Sequence, residues 1–477
     1  MVNYMQIQIP RLVIAATQSG GGKTTITTGI IAALRKRGLT VQSYKIGPDY
    51  IDPCYHSLAS NRPAHNLDSW LVSKEKLQDI FTQTSQESDI AIIEGVMGLY
   101  DGGKDGISST AEIAKLLKAP VVLIIDAKSM GASAAAIALG FREYDKDVNL
   151  AGVILNRIGS DNHKNIIESA LSELGIKCLG AIKRDNKLIT PERHLGLLPT
   201  IENETKELIE NISEAINAQV NIDELIEIAE RGNKEQGTGN RNEILRIESV
   251  PFISKSSLIP HSSFLKIAVV KDEAFNFYYP ESLKVLEQLG ADIITFSPLH
   301  DKSIPKVDGL IIGGGFPEMF ATQLEANVSM RESIKNAVFN GLPIFAECGG
   351  YMYLMNELID FEGKSHNMVG VIDNSAKMND KLQMVGYVEA ELLNDCILGK
   401  IGDTFHAHEF HFSNEVNNNG QNAFNCVRIR NNSNYRAGFV SDNIVASYLH
   451  IHFAGCIEAA RHFVESCQNY NRRNQNE

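Results

Sequence analysis

The sequence predicts an α/β protein built from two doubly wound domains, each a mostly parallel sheet with helices on both faces. Three observations carry this. First, short β-rich apolar runs (RLVIAAT, VQSYKI, DIAIIEG, APVVLIID, LAGVILNR) alternate with amphipathic helical stretches through the first part of the chain. Second, a fresh series (KIAVVKD, ADIITFSP, VDGLIIGGG, LPIFAECGG) starts at Lys266. Third, residues 200–247 between them read as helical and then polar, ending in the Gly- and Asn-rich stretch GNKEQGTGNRN. The expected organisation is a first domain over 1–231, a linker over 232–265, a second domain over 266–470 and a frayed tail over 471–477. No repeat of 20–50 residues is visible.

At 477 residues the chain is long enough for two to four cores. Its net charge of -13 argues against a nucleic-acid partner held by a broad basic face. The start, MVNYMQIQIPRLVIAAT, lacks the basic and apolar regions of a signal peptide. No run approaches the ~18 apolar residues of a membrane helix. The seven cysteines are scattered and form no CxxC pair, which suits a reducing cytoplasm. An anionic substrate would need a local basic pocket.

The first strand runs into ATQSGGGKTT and then a helix. That context makes the glycine loop a phosphate-binding loop, so the first sheet reads as P-loop NTPase-like. Backbone N–H groups at Gly20, Gly21 and Gly22 and the following helix N-terminus, through Thr25, would cradle phosphates. Lys23 would reach the β- and γ-phosphates, and the Thr24 hydroxyl would ligate Mg²⁺. The co-substrate is expected to be ATP. Thr17 stands where the usual first glycine would be. Gln18 stands where partition-type ATPases carry a second lysine, which weakens a reading as an ATPase switch.

The second strand ends in YKIGPDYIDP, bringing Lys45, Asp49 and Asp52 to the carboxyl edge of the sheet, where such folds bind ligands. The next strand ends there in Glu94, followed by VMGLYDG with Asp101. Carboxylates beside a phosphate loop suit Mg²⁺, with Thr24, Asp49 and Glu94 as candidate ligands. Lys45 would neutralise charge on a transferred phosphoryl group. The plain alternative for each acid is a loop residue or helix cap.

In the second domain an apolar strand runs into Cys348, then Gly349 and Gly350, then a helical pattern. This is a strand–nucleophile–helix turn, and the helix N-terminus is expected to favour thiolate. The strand LIIGGG supplies Gly314 and Gly315 as candidate oxyanion-hole donors. His450, at the end of IVASYLH, is the candidate general base. His406, His408, His411 and His452 lie close to it in sequence or motif.

YKIGPDYIDP, IIEGVMGLYDG, GGGFPE, AECGGYMYL, HEFHFS and SYLHIHF together resemble the cobyrinic acid a,c-diamide synthase family, from about residue 10 to 465. The N-terminal half is also similar to dethiobiotin synthetase, and the C-terminal half resembles a class I glutamine amidotransferase domain. The resemblance implies a glutamine-hydrolysing ligase. ATP would phosphorylate the c and then the a acetate of cobyrinic acid, and ammonia from L-glutamine would displace the phosphate. Ammonia would travel inside the protein from a γ-glutamyl thioester on Cys348, with His450 raising the nucleophilicity of the thiol. Lys23, Thr24 and Lys45 would hold phosphates and metal. Asp49, Asp52, Glu94 and Asp101 would surround Mg²⁺, ATP and the substrate carboxylate. Asn156 matches an asparagine that contacts adenine in dethiobiotin synthetase.

Two departures stand out. Position 452, where many class I amidotransferases complete a triad with glutamate, is histidine, so a Cys–His dyad is expected. Ala407 precedes HEFHFS where glycine is expected. Lys183, Arg184, Arg193 and His194 are candidates for a polyanionic tetrapyrrole pocket, with solvated surface charge as the alternative. Related readings are a nickel-sirohydrochlorin a,c-diamide synthase of coenzyme F430 synthesis, cobyric acid synthase, a P-loop switch without amidotransferase activity, and a noncatalytic chain. Oligomeric state and the substrate's metal stay open.

Overall fold

The computed structural model describes residues 9–185, 202–234, 265–417 and 421–476. They form two compact units. The first comprises the described residues up to 185, without Trp70–Ser73, and those of 202–234; the second comprises Trp70–Ser73 and the described residues from 265 onward.

The first unit is a seven-stranded parallel sheet. Its strands are β1 (Arg11–Ala16), β2 (Val41–Ile46), β3 (His65–Leu67), β4 (Ile90–Glu94), β5 (Val121–Asp126), β6 (Leu150–Ile158) and β7 (Cys178–Lys183). Their spatial order is β3-β2-β4-β1-β5-β6-β7, with parallel pairing throughout. β1, β2 and β4 are buried along their whole length, as expected for strands covered on both faces. Helix α1 (Lys23–Lys36) follows β1 through a glycine loop and ends in Arg35 and Lys36, basic residues that suit a helix C-terminus. Gly38, at φ 84°, turns the chain out of it. Helix α2 (Ile51–Ser60) follows β2. Two C-terminal helices, α3 (Glu202–Gln219) and α4 (Ile222–Lys234), add Ile209, Ile212, Ile216, Leu225 and Ile228 to the core that holds Ile26, Ile30 and Leu34 of α1. The order β2-β4-β1 places the ends of those three strands side by side. The switch of chain direction at β1 creates the ligand-binding edge.

The second unit is built on a six-stranded sheet. Its order is Ala291–Phe296, Leu265–Val270, Gly309–Ile312, Ile344–Glu347, Ile444–Ser447, Phe439–Val440; the first five are parallel and the last pairs antiparallel. Much of the chain between Met355 and Ala437 goes into two further sheets that the doubly wound pattern does not announce. One has four strands, with Met355–Ile359 and Ile372–Met378 parallel at its centre. The other has five antiparallel strands, among them Thr404–His411 and the two-residue strand His450–Ile451. Their strands mix buried and exposed residues (in Ile372–Met378, Asp373 and Lys377 are exposed and the rest buried), so their sequence pattern is that of half-buried strands.

Candidate active sites

In the first unit, the phosphate loop lies between β1 and α1. Gly20 and Gly22 have φ of 75° and 88°, the left-handed region where glycine is favoured. Asn156 Nδ2 donates to the Gly21 carbonyl at 2.9 Å. A Cβ on Gly22 would lie 2.3 Å from that same nitrogen, so the loop and the Asn156 amide fit only because residue 22 has no side chain. Arg157 donates to the Gly20 carbonyl at 3.1 Å and pairs with Asp126 at 2.5 Å. The loop is thus held through its carbonyls by Asn156 and Arg157 of β6, the latter braced by Asp126 of β5. Lys23 Nζ donates to the Met97 carbonyl at 2.7 Å.

Glu94, at the end of β4, is the hub of the acidic cluster and is fully buried. Its Oε1 accepts from Thr24 Oγ1 at 2.9 Å and from Lys45 Nζ at 2.9 Å. Lys45 also pairs with Asp52 at 2.5 Å and donates to the Gly95 carbonyl at 3.2 Å. His56 Nε2 comes within 2.7 Å of Glu94 Oε2, without the alignment of a hydrogen bond. Burial alone would depress the Lys45 ammonium; the fields of Asp52, Glu94 and Asp49 outweigh it and raise its pKa. Burial pulls the opposite way on Glu94, but Lys45 holds its carboxyl below the usual range. The result is a charged, hydrogen-bonded ion cluster at the sheet edge.

Asp49 Oδ1 accepts from Ile51 N at 2.8 Å and Asp52 N at 3.3 Å, so it satisfies N–H groups of the first turn of α2 as well as adding to the cluster's field. Asp101 is exposed and accepts from Gly98 N at 3.0 Å. Among the described residues no three His, Cys, Asp or Glu side chains converge on a metal-binding geometry. Mg²⁺ needs only one or two protein oxygens beside phosphate and water, and the facing Thr24 hydroxyl and Glu94 carboxylate fit that demand.

In the second unit, Cys348 occupies φ 47°, ψ −103°, a strained conformation at the bend between Ile344–Glu347 and the helix Gly349–Leu354. Its N–H donates to the Ser447 carbonyl at 2.7 Å. The GGG loop closes the site. A Cβ on Gly349 would lie 3.1 Å from Gly315 N, and one on Gly314 would lie 2.7 Å from His450 Cε1. Nucleophile turn, oxyanion candidate and histidine are therefore packed together. Burial pushes the Cys348 thiol up, with Glu318 and neighbouring acids adding to it. The following helix has only six residues, and its terminus does not offset that burial. Burial, then His408 and His411, lowers His450 to about 3, so its imidazole is neutral. The Cys348 Sγ lies 4.0 Å from the Phe410 carbonyl, and the neutral His450 imidazole lies against Gly314, in the same packed region.

The other histidines have separate places. His408 pairs across strands with His450, their rings 6.4 Å apart. His411 stacks on Tyr448 at 4.0 Å, and His406 on Trp70 at 3.9 Å. His452 stacks on Tyr279 at 4.6 Å and lies 3.8 Å from Glu281.

Two family models divide the chain between them. Residues 12–198 match a CobQ/CobB/MinD/ParA nucleotide binding domain, and residues 266–456 a CobB/CobQ-like glutamine amidotransferase domain. A cobyrinate a,c-diamide synthase of Caldanaerobacter subterraneus is 42% identical over 465 residues, covering 96% of this chain and 99% of the relative. Proteins of the same name from Dehalococcoides mccartyi (40% identical; 97% and 99% covered) and Methanobrevibacter smithii (41%; 93% and 96%) are similar over nearly the same span. The chain belongs to the cobyrinate a,c-diamide synthase family.

It is accordingly a glutamine-hydrolysing ligase with a nucleotide-binding P-loop unit. Among the residues expected in such a synthase, Thr24, Lys45, Asp52 and Glu94 come together while Lys23, next to Thr24, reaches the Met97 carbonyl; Cys348, Gly314, Gly315 and His450 share one packed region. Asn156 is found on the loop backbone, where its amide nitrogen is engaged with Gly21. Lys183 is exposed and pairs with Asp161 at 2.9 Å. Arg184 closes a backbone bond to Ile158, while Arg193 and His194 lie outside the described residues. Ala407 sits in a strand without positive φ, so glycine is not required there. Sequence reading missed His56 and the Arg157–Asp126 pair. His56 lies seven residues beyond Asp49, one helical turn past Asp52 on the same face, which is the signal that would have found it. No disulfide joins the seven cysteines, and no described helix is long and apolar enough to cross a membrane.

Proposed function

We propose that this chain amidates the a and c acetate carboxylates of cobyrinic acid, using ATP and L-glutamine, as a cytoplasmic step of cobalamin synthesis. The observation that supports it most is the coexistence, in one chain matched end to end by synthases of that name, of a P-loop with a buried Lys–Glu–Asp cluster and a strained cysteine elbow whose glycine-loop neighbour packs against His450.

In the first unit, N–H groups of Gly20–Thr25 and the Lys23 ammonium hold the β- and γ-phosphates of ATP. A substrate carboxylate oxygen attacks the γ-phosphorus, ADP leaves, and an acyl phosphate forms. Lys45, held charged by Asp52 and Glu94, offsets negative charge on the transferred group. Thr24, Glu94 and Asp49 would hold Mg²⁺, which supplies charge neutralisation on the phosphates. Ammonia then attacks the acyl carbon and phosphate departs, leaving the amide. Asp101, exposed at the same edge, is available to the incoming substrate.

In the second unit, Cys348 Sγ attacks the glutamine carboxamide carbon as His450 takes the thiol proton. Gly314 and Gly315 N–H groups stabilise the oxyanion. The proton goes to the departing ammonia, and water hydrolyses the thioester to glutamate.

The test is an assay with ATP, Mg²⁺ and glutamine, offering cobyrinic acid and nickel-sirohydrochlorin separately and weighing the products by mass spectrometry. Two amidations of cobyrinic acid alone are expected. Turnover of nickel-sirohydrochlorin alone would transfer the same chemistry to coenzyme F430 synthesis and end the corrinoid reading.

A further inference from the structure

The glutaminase site lacks an acidic side chain two residues after its histidine, and His452 is engaged elsewhere, against Tyr279 and near Glu281. Something else must fix the short strand that carries His450. That strand, His450–Ile451, is two residues long and pairs with its neighbour through Ala407↔Ile451 and His408↔His450. Two buried bonds of 2.7 Å tie it and its approach to the nucleophile turn. One is Cys348 N to the Ser447 carbonyl, made by backbone alone. The other is Ile451 N to Glu347 Oε1. Glu347 immediately precedes Cys348 and is 6% exposed.

We propose that Glu347 is a positioning residue of the glutaminase: its carboxyl spans from the nucleophile's own strand to the backbone beside His450 and fixes the imidazole against the thiol. A buried carboxyl is costly unless its hydrogen bonds are made, and burial has pushed this one up to about 8. The bond it makes is to the residue adjoining the general base. Because it leaves from position 347 and lands at 451, a shift of either strand breaks it. A shift of ~1 Å between reacting groups is enough to cost on the order of 100-fold in rate.

The inference rests on Cys348 and His450 being the glutaminase pair. Glu347→Ala, Glu347→Leu and Glu347→Gln would be compared with Cys348→Ala in the full chain, measuring glutamine hydrolysis and ammonia-dependent amidation. Leucine fills the volume without an acceptor, and glutamine keeps Oε1. The expected result is a loss of at least ~10-fold in glutaminase kcat for Ala and Leu, with glutamine KM little changed and ammonia-dependent turnover retained. Gln should restore kcat to within about threefold, because the acceptor rather than the charge is what the geometry uses. Wild-type kcat in the Leu variant overturns the proposal. So does a loss that Gln fails to restore, which would assign the effect to charge. Glutamine hydrolysis surviving in Cys348→Ala would instead remove the site assignment itself.

Discussion

Lys45 is the keystone of the first unit's buried cluster, and its removal makes a sharp prediction. Lys45→Met preserves the stem but deletes an ammonium 2.5 Å from Asp52 and 2.9 Å from Glu94. All three side chains are at most 3% exposed, so water cannot replace it. Removing one partner of a buried ion pair costs about 3–5 kcal/mol, because the other is left uncompensated. At about 2–4 °C per kcal/mol for a unit of this size, the melting temperature should fall by roughly 6–20 °C. The sign of the pH dependence follows from Glu94. With Lys45 present its folded pKa is depressed, so its stabilising contribution is present above the unfolded value of 4.5 and lost as pH falls. Without Lys45, burial and Asp52 raise it, and stability is instead lost as pH rises through the new value. The deficit should therefore be larger at pH 7.5 than at pH 5. Calorimetry at both pH values, following the transition that ATP shifts upward, reads it directly. A drop under 2 °C, or one equal at both pH values, would refute the charge argument.

Cys348→Ala should abolish glutamine-dependent amidation and spare ammonia-dependent amidation; equal loss of both would break the two-site scheme. Glu94→Gln should impair amidation with either nitrogen source, and full activity would take Glu94 out of the site. Asn156→Ala releases the Gly21 carbonyl, and loss of one bond of about 1 kcal/mol should raise the ATP KM roughly fivefold; an unchanged KM would mean the loop holds its shape without it. In the second unit, His450 and His408 at about 3 and His411 and His452 at about 4 stabilise above 6.5 and lose that as pH falls. Glu318 and Glu409 at about 7 and Glu347 at about 8 stabilise below 4.5 and lose that as pH rises. Between 4.5 and 6.5 the two sets oppose each other; melting should weaken from pH 6.5 to 8 and again below 4.5, and a flat profile from 6.5 to 8 would contradict the buried-acid picture.

The parts of both sites that were legible in the sequence share one property: they sit in an unbroken stretch where a strand ends. Lys23, Lys45, Glu94 and Cys348 each follow or close an apolar run, and a parallel sheet delivers all such ends to one edge. What was hidden depends on contacts between distant segments. The Asn156 amide reaches a loop 135 residues earlier in the chain. Glu347 resembles any strand terminus until Ile451 is seen opposite it. The sheets between Met355 and Ala437 stayed invisible as such, because half-buried strands with irregular spacing give a weaker pattern than the fully buried parallel strands of the main sheets. The thiol expectation failed for a related reason: a helix terminus is visible in sequence, whereas the depth at which it lies is not.

Cys348 holds a backbone geometry outside the regions an L-residue favours. An L-residue held at φ 47°, ψ −103° is strained by about 1–3 kcal/mol, and glycine would relieve most of it. Cys348→Gly would relieve that strain but empty a buried core position and free the unfolded chain, so Cys348→Gly should unfold less readily than Cys348→Ala, which keeps the strain, only if the strain exceeds the roughly 0.5–1 kcal/mol entropic cost of glycine. On the proposal that Cys348 is the nucleophile, catalysis holds at this position a side chain that its backbone geometry disfavours.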